Sequence, residues 1–234
     1  MLCRWALPCC RQPLPPTWYP MPNRNVFHWM DGRGWLILSG GPDRAGELRA
    51  LALERAAADG AVACISTTGV EAGDRLLTDM QDLGAPSGYL VDVAAEDDET
   101  VRSRLAEAGM VIIEGEASAM AVRSMLLGAA IEGIQRAYQN GAVILAEAAS
   151  AVVFGEWVRQ ETGEVTRGLE WLKGALILRG ADVAEPAKTA LAGQPQAIAV
   201  GIGVGSALAL GPDGEIELWG KKEITVLLGR NYTT

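Results

Sequence analysis

The sequence predicts an α/β fold: a three-layer, doubly wound, mostly parallel sheet with helices on both faces and antiparallel strands in the C-terminal third. Three observations carry this expectation. From Gly34 onward, short apolar runs alternate with helical stretches of roughly 10–15 residues, the spacing of right-handed βαβ crossovers. Past residue 160 that alternation gives way to β-rich runs, with GPDG at 211–214 as a turn of the type that joins antiparallel strands. The chain has 234 residues, enough for one domain that buries roughly 70% of the surface it exposes when unfolded.

The elements follow in order. WLILSGG (35–41) is a buried strand ending in a glycine turn, and RAGELRALALERAAA (44–58) has helical periodicity and strong helix formers. AVACIST (61–67) is the second strand and EAGDRLLTDMQDL (71–83) the second helix. SGYLVDV (87–93) is a third strand, followed by an acidic turn and a helix over 97–108. MVIIEG (110–115) is the fourth strand, 118–139 is helical with a break near Gly128, and AVILAE (142–147) is the fifth strand. Beyond it, ALIL (175–178), AIAVGIGVGSALALG (197–211), EIELWG (215–220) and EITVLLG (223–229) are β-rich and extend or flank the sheet. The glycines of SGG (39–41) are read as a turn, since neither G-x-G-x-x-G spacing nor a P-loop lysine follows. Those of GIGVGSA (201–207) are read as marks of close backbone packing within a strand.

Residues 1–33 read as a separate extension, disordered or loosely docked. They are Pro-rich, aromatic (Trp5, Trp18, Tyr19, Phe27, Trp29) and without periodicity, and Met21 and Met30 stand as alternative starts. Residues 34–234 form the α/β domain. Net charge is −9, unevenly spread: residues 1–34 carry four Arg against one Asp, and residues 35–234 carry 16 basic against 28 acidic. A domain so acidic lacks the basic footprint that phosphates need, so nucleic acid is not an expected partner. No apolar run reaches membrane-spanning length, and the N-terminus lacks an unbroken apolar signal core, so a cytoplasmic location with no membrane partner is expected. Cys3, Cys9 and Cys10 cluster at the start while Cys64 lies in an apolar strand, which is no disulfide framework. Cys64 is expected to be a buried small hydrophobe. Cys9, Cys10 and His28 lack regular ligand spacing, so neither a metal nor another cofactor is expected.

The segment with chemical content is GAVILAEAASAVVFGEWV (141–158): an apolar strand, a corner of small residues, then an amphipathic stretch expected to be helical. This is the layout of a nucleophile elbow, where a strained Ser or Cys stands above a parallel sheet. Here the corner residue is Ala148, which has nothing to attack with. The chain has one histidine, His28, and it lies in the extension.

Strand order and four local strings resemble the cyanophycinase and dipeptidase E family of serine peptidases, which has a class I glutamine-amidotransferase-like fold. The likeness covers roughly residues 34–230. MVIIEGEASAMAVRSMLLGA (110–129) is similar to the family's strand leading into an oxyanion-hole glycine pair; Gly115 matches the first glycine and Glu116 replaces the second. GAVILAEAASA (141–151) is similar to the nucleophile segment G-x-S-A-G-A, with Ala146 on the first glycine, Ala148 on the serine and Ser150 on the following glycine. GLEWLKGALILRGA (168–181) resembles the stretch that ends at the catalytic histidine, which places Gly180 at the base position. The terminal β-rich strings resemble the family's last strands.

The departures all fall on one chemistry. Acyl transfer by serine needs a hydroxyl, a base within reach and donors for the oxyanion. The resemblance therefore implies a degenerate site, with no catalytic residue intact: a catalytically inactive family relative with a binding or structural role toward an unknown protein or peptide ligand, with a homodimer as one arrangement open to it. Two alternatives stand beside it. One is an active serine hydrolase of the same family using a displaced Ser150 or Ser118, although each is also suited to capping a helix. The other is a carboxylate-based enzyme using Glu116 and Glu147, placed on adjacent strand ends, for acid–base work or cation binding.

Overall fold

A computed structural model describes residues 27–41, 46–57 and 60–233 of the chain. In chain order the elements are β1 (His28–Trp29), β2 (Trp35–Ser39), α1 (Glu47–Arg55), β3 (Val62–Ile65), α2 (Val70–Asp82), β4 (Gly88–Leu90), α3 (Asp98–Ala106) and β5 (Met110–Ile113). Then follow α4 (Ala119–Leu126), α5 (Ala129–Asn140), β6 (Val143–Glu147), α6 (Ala149–Val153), β7 (Gly155–Arg159), β8 (Val165–Arg167) and β9 (Leu172–Arg179). The chain closes with α7 (Ala184–Gly193), β10 (Ile198–Ile202), β11 (Ser206–Leu210), β12 (Ile216–Gly220) and β13 (Ile224–Leu228).

The apolar runs of the first half become strands because nothing else can bury them on both faces. They assemble a seven-stranded sheet in the order β12-β11-β2-β6-β5-β3-β4. Its β2, β6, β5, β3 and β4 are mutually parallel, while β11 and β12 add on antiparallel at the β2 side. One face carries α1 and α2, through Leu48, Ala52, Leu76 and Met80 against Ile37, Cys64, Ile112 and Leu145. The opposite face carries α3 to α6, through residues such as Leu105, Val122, Ile134 and Val153. The fold is thus α/β, with helices on both faces of a mostly parallel sheet and antiparallel strands toward the C-terminus. No helix of the described residues is long and apolar enough to cross a membrane.

The C-terminal third also builds a second sheet, in the order β13-β10-β9-β7-β8, with β1 against the start of β9. Ile177, Ile198, Val200 and Ile202 of this sheet pack into the same core as α3 to α6, and α7 covers its outer face through Ala187, Ala190 and Leu191. The run 197–211, read as one β-rich stretch, is two strands in different sheets. The chain crosses between them at 203–205, where Gly203 and Ile202 carbonyl oxygens would lie 2.3 Å from a Cβ on Gly40. The helix break at Gly128 and the antiparallel connection through 211–214 fall as read.

Two sequence readings change. The stretch after the elbow is helical only to Val153; Gly155–Arg159 is β7, paired in parallel with β9. Its GEWV alternation is a strand period that the preceding small residues masked. The described part of the N-terminal extension is docked, whereas residues 1–26 lie outside the described residues. Phe27 is 9% exposed and belongs to the main core, β1 pairs with β9, and Tyr138 Oη donates to the Met30 carbonyl at 3.1 Å. A two-residue strand carries no periodicity, so its burial is not readable from pattern. Phe27→Ala should cost about 3 kcal/mol in urea unfolding, the loss expected for a buried aromatic; a change below about 0.5 kcal/mol would mean that this segment is only loosely attached.

Candidate active site at the elbow

The fully buried β6 delivers the chain to the carboxyl edge of the main sheet, between β2 and β5. Ala148 follows as the corner and α6 begins at the next residue. Ala148 has φ 53° and ψ −115°, a backbone region that costs a non-glycine residue on the order of 1–3 kcal/mol. Neighbouring backbone holds it there. The Ala148 amide donates to the Ser39 carbonyl at 2.9 Å, and the Ala149 amide donates to the Gly115 carbonyl at 3.1 Å. Gly115 itself lies so close that a Cβ on it would fall 1.9 Å from the Glu147 carbonyl oxygen and 2.7 Å from the Ala149 nitrogen. Only glycine fits, which is the physical reason for that residue at the end of β5.

The other sequence candidates distribute as follows. Ser150 is 0% exposed and its Oγ donates to the Glu114 carbonyl at 2.6 Å, so this hydroxyl ties α6 to β5 rather than facing solvent. Ser118 caps α4, accepting from the Ala121 amide at 3.3 Å, and is exposed. Glu116 is exposed beside it. Glu147 is 1% exposed and is not part of a carboxylate pair with Glu116. Both its oxygens accept from Arg49, at 3.0 Å from Nε and 2.7 Å from Nη2, and Arg49 also meets Asp79 at 2.8 Å. Side chains alternate along β6, so Glu147 faces the helices α1 and α2, away from the elbow cavity. Burial works to lower the Arg49 pKa, but the hydrogen bonds and charges of Glu147 and Asp79 outweigh it and hold the guanidinium above its ordinary value.

Gly180 ends β9 with its amide on the Ile202 carbonyl at 2.7 Å and φ 97°. That angle disfavours any L side chain, so this strand end is shaped around glycine. His28 pairs with Lys173 at the opposite end of β9, six residues before Arg179, hence about 20 Å away along the strand. A base must come within about 3 Å of its nucleophile or reach it through one water. Cys64 is buried in β3, which pushes its thiol up to about 12 against the opposing charge of Arg49, so it is not a thiolate at neutral pH.

Beside the corner lies a cavity of about 410 Å³, floored by Ala149 and Val152 and rimmed by Glu116, Ser118, Arg159 and Arg179. Ala148 itself is 5% exposed. Sequence reasoning missed Arg159, because its segment was read as helix; as a strand, 155–159 brings it to the edge shared with Arg179. Arg49 was missed as well, since nothing local links it to a carboxylate 98 residues away. On the α1 and α2 side, a second cavity of about 520 Å³ shares Glu116 with the first and is lined by residues such as Arg49, Arg75, Asp79 and Glu114. Among the described residues no group of three or more His, Cys, Asp or Glu side chains could hold a metal ion.

Glu147→Ala should destabilise the fold by about 3–5 kcal/mol in chemical denaturation, because it strands a buried guanidinium. Asp79→Ala, at the exposed end of the same network, should cost less than about 1 kcal/mol. Similar small costs for both would mean that Glu147 is free of Arg49 in solution.

Neither a protein-family model nor a curated protein matches the chain. Solved structures do. A peptidase from an acI-B1 Actinobacterium superposes with a TM-score of 0.65 at 16% identity, over 85% of this chain and 96% of that one. A candidate Peptidase E protein from Listeria monocytogenes EGD-e superposes at 0.54 and 15% identity, over 80% of this chain and 98% of that one. At such identities the likeness establishes the architecture: this chain has a peptidase-like α/β fold.

Proposed function

We propose that this protein is a catalytically silent relative of the cyanophycinase and dipeptidase E group, which keeps the elbow cavity to bind a protein or peptide ligand without cutting it. One observation carries the reading: a strained elbow is present, and the residue at its apex is Ala148. Strain of this kind is characteristic of functional sites, where the surrounding structure over-determines it. An elbow whose apex has no hydroxyl or thiol can still shape a cavity, but it cannot form an acyl-enzyme.

Two further features support it. In serine hydrolases with this elbow, the amide after the nucleophile helps bind the oxyanion. Here that amide, on Ala149, is engaged by the Gly115 carbonyl at 3.1 Å. The hydroxyl of Ser150 is likewise committed, at 2.6 Å from the Glu114 carbonyl. Ser118 is the one alternative with a specific observation in its favour, because it is exposed on the cavity rim. It has no imidazole within reach, and its Oγ caps α4.

The reading is tested by incubating the protein with a fluorophosphonate and, separately, with a mixed peptide library, followed by mass spectrometry. The expected result is an unmodified chain and intact peptides. A stoichiometric adduct on Ser118 or Ser150, or defined cleavage products, would replace the silent reading with an active hydrolase.

A further inference from the structure

We infer that the elbow cavity takes a small ligand through a single carboxylate, gripped by Arg159. This rests on reading that cavity as a binding site and adds the chemistry of its occupant. The starting point is Nε of Arg159, the one buried side-chain nitrogen or oxygen among the described residues that has no hydrogen-bond partner. Buried donors in native folds are satisfied with few exceptions, so this guanidinium stands out as one that no group of the described residues holds at Nε. Arg159 lies on that wall.

The contrast with other arginines sharpens this. Arg49, Arg55, Arg102, Arg104 and Arg167 each hold a carboxylate within 2.9 Å. Acidic residues outnumber basic ones in this chain by 29 to 20, so intramolecular partners are plentiful. Arg159 and Arg179 line one cavity, and among the described residues neither is in an ion pair. A guanidinium presents parallel N–H donors matched to the two oxygens of a carboxylate, which is the acceptor that fits best.

The remaining lining limits the ligand further. Glu116, Glu161 and Asp182 share the cavity, so a compact dianion such as phosphate meets repulsion there. Val152, Ile177 and Val183 give the walls an apolar stretch suited to an aliphatic body. The volume of about 410 Å³ is within the usual range for small-molecule sites. The occupant is thus a monocarboxylate with an apolar body, held by its acid group.

Calorimetric titration with N-acetyl-L-leucine, its carboxamide and inorganic phosphate tests this on the full chain. The acid should bind at least about tenfold more tightly than the amide or phosphate. Arg159→Gln should erase the preference for acid over amide, and Arg179→Gln should weaken it by about threefold. Among the described residues Nε of Arg159 has no hydrogen-bond partner, so replacing the side chain should leave thermal stability nearly unchanged. Should Arg159→Gln fail to fold, Arg159→Lys keeps the charge without the fork and should still lose most of the preference. Equal binding of acid and amide, an unaffected Arg159→Gln, or no acid binding at ~10 mM would overturn the inference. Peptide cleavage by the wild type would overturn the silent reading alone, since the acid–amide comparison does not depend on turnover.

Discussion

The close approach of backbone at the end of the central strands governs the rest of this structure. Gly115, Ser39 and the corner at Ala148 lock three strand ends together, with two amide–carbonyl bonds and a contact that leaves no room for a Cβ. A contact this close leaves little room for adjustment, because interiors packed at crystal-like density give only by small shifts. It explains why a strained φ of 53° persists at a residue with no nucleophile. The strain is sustained by packing and needs no reactive side chain at the apex.

The two sides of the corner have also taken different roles. Toward α1 and α2, Glu147 forms a nearly dry ion pair with Arg49, which clamps the first helix to the strand that carries the elbow. Buried pairs of this sort add little net stability but penalise any alternative that parts them. Toward α4 and α7 lies the cavity lined by Arg159 and Arg179, which form no ion pair among the described residues. A carboxylate at 147 thus supports the architecture, and the exposed chemistry lies with arginines contributed by the second sheet.

Much of the fold was legible because a parallel strand buried on both faces has a simple signature, an unbroken apolar run. WLILS, VACI, MVII and VILAE are such runs, and all four are strands of the main sheet. What was not legible depended on distance or on mixed periods. The post-elbow segment changes from helix to strand at Gly155 within a few residues, and VVFGEWV satisfies both patterns. The second sheet was hidden because strands crossing between sheets look locally like one strand. The corner at Ala148 could be placed from spacing alone, whereas the partners of Glu147 and Ser150 could not. Those partners lie in distant segments and are chosen by the fold, so no local pattern announces them.

The central claim is that this elbow retains its geometry without the means to perform acyl transfer. Placing a hydroxyl at the apex tests it most directly, by following fluorophosphonate labelling of Ala148→Ser by intact mass over time. With the chain's one histidine paired at the start of β9 and the adjacent amide engaged, the variant should label no faster than the unaltered protein. Rapid stoichiometric labelling of residue 148 would contradict the account, because it would show that a base and an oxyanion site are still in place and that only the nucleophile is missing.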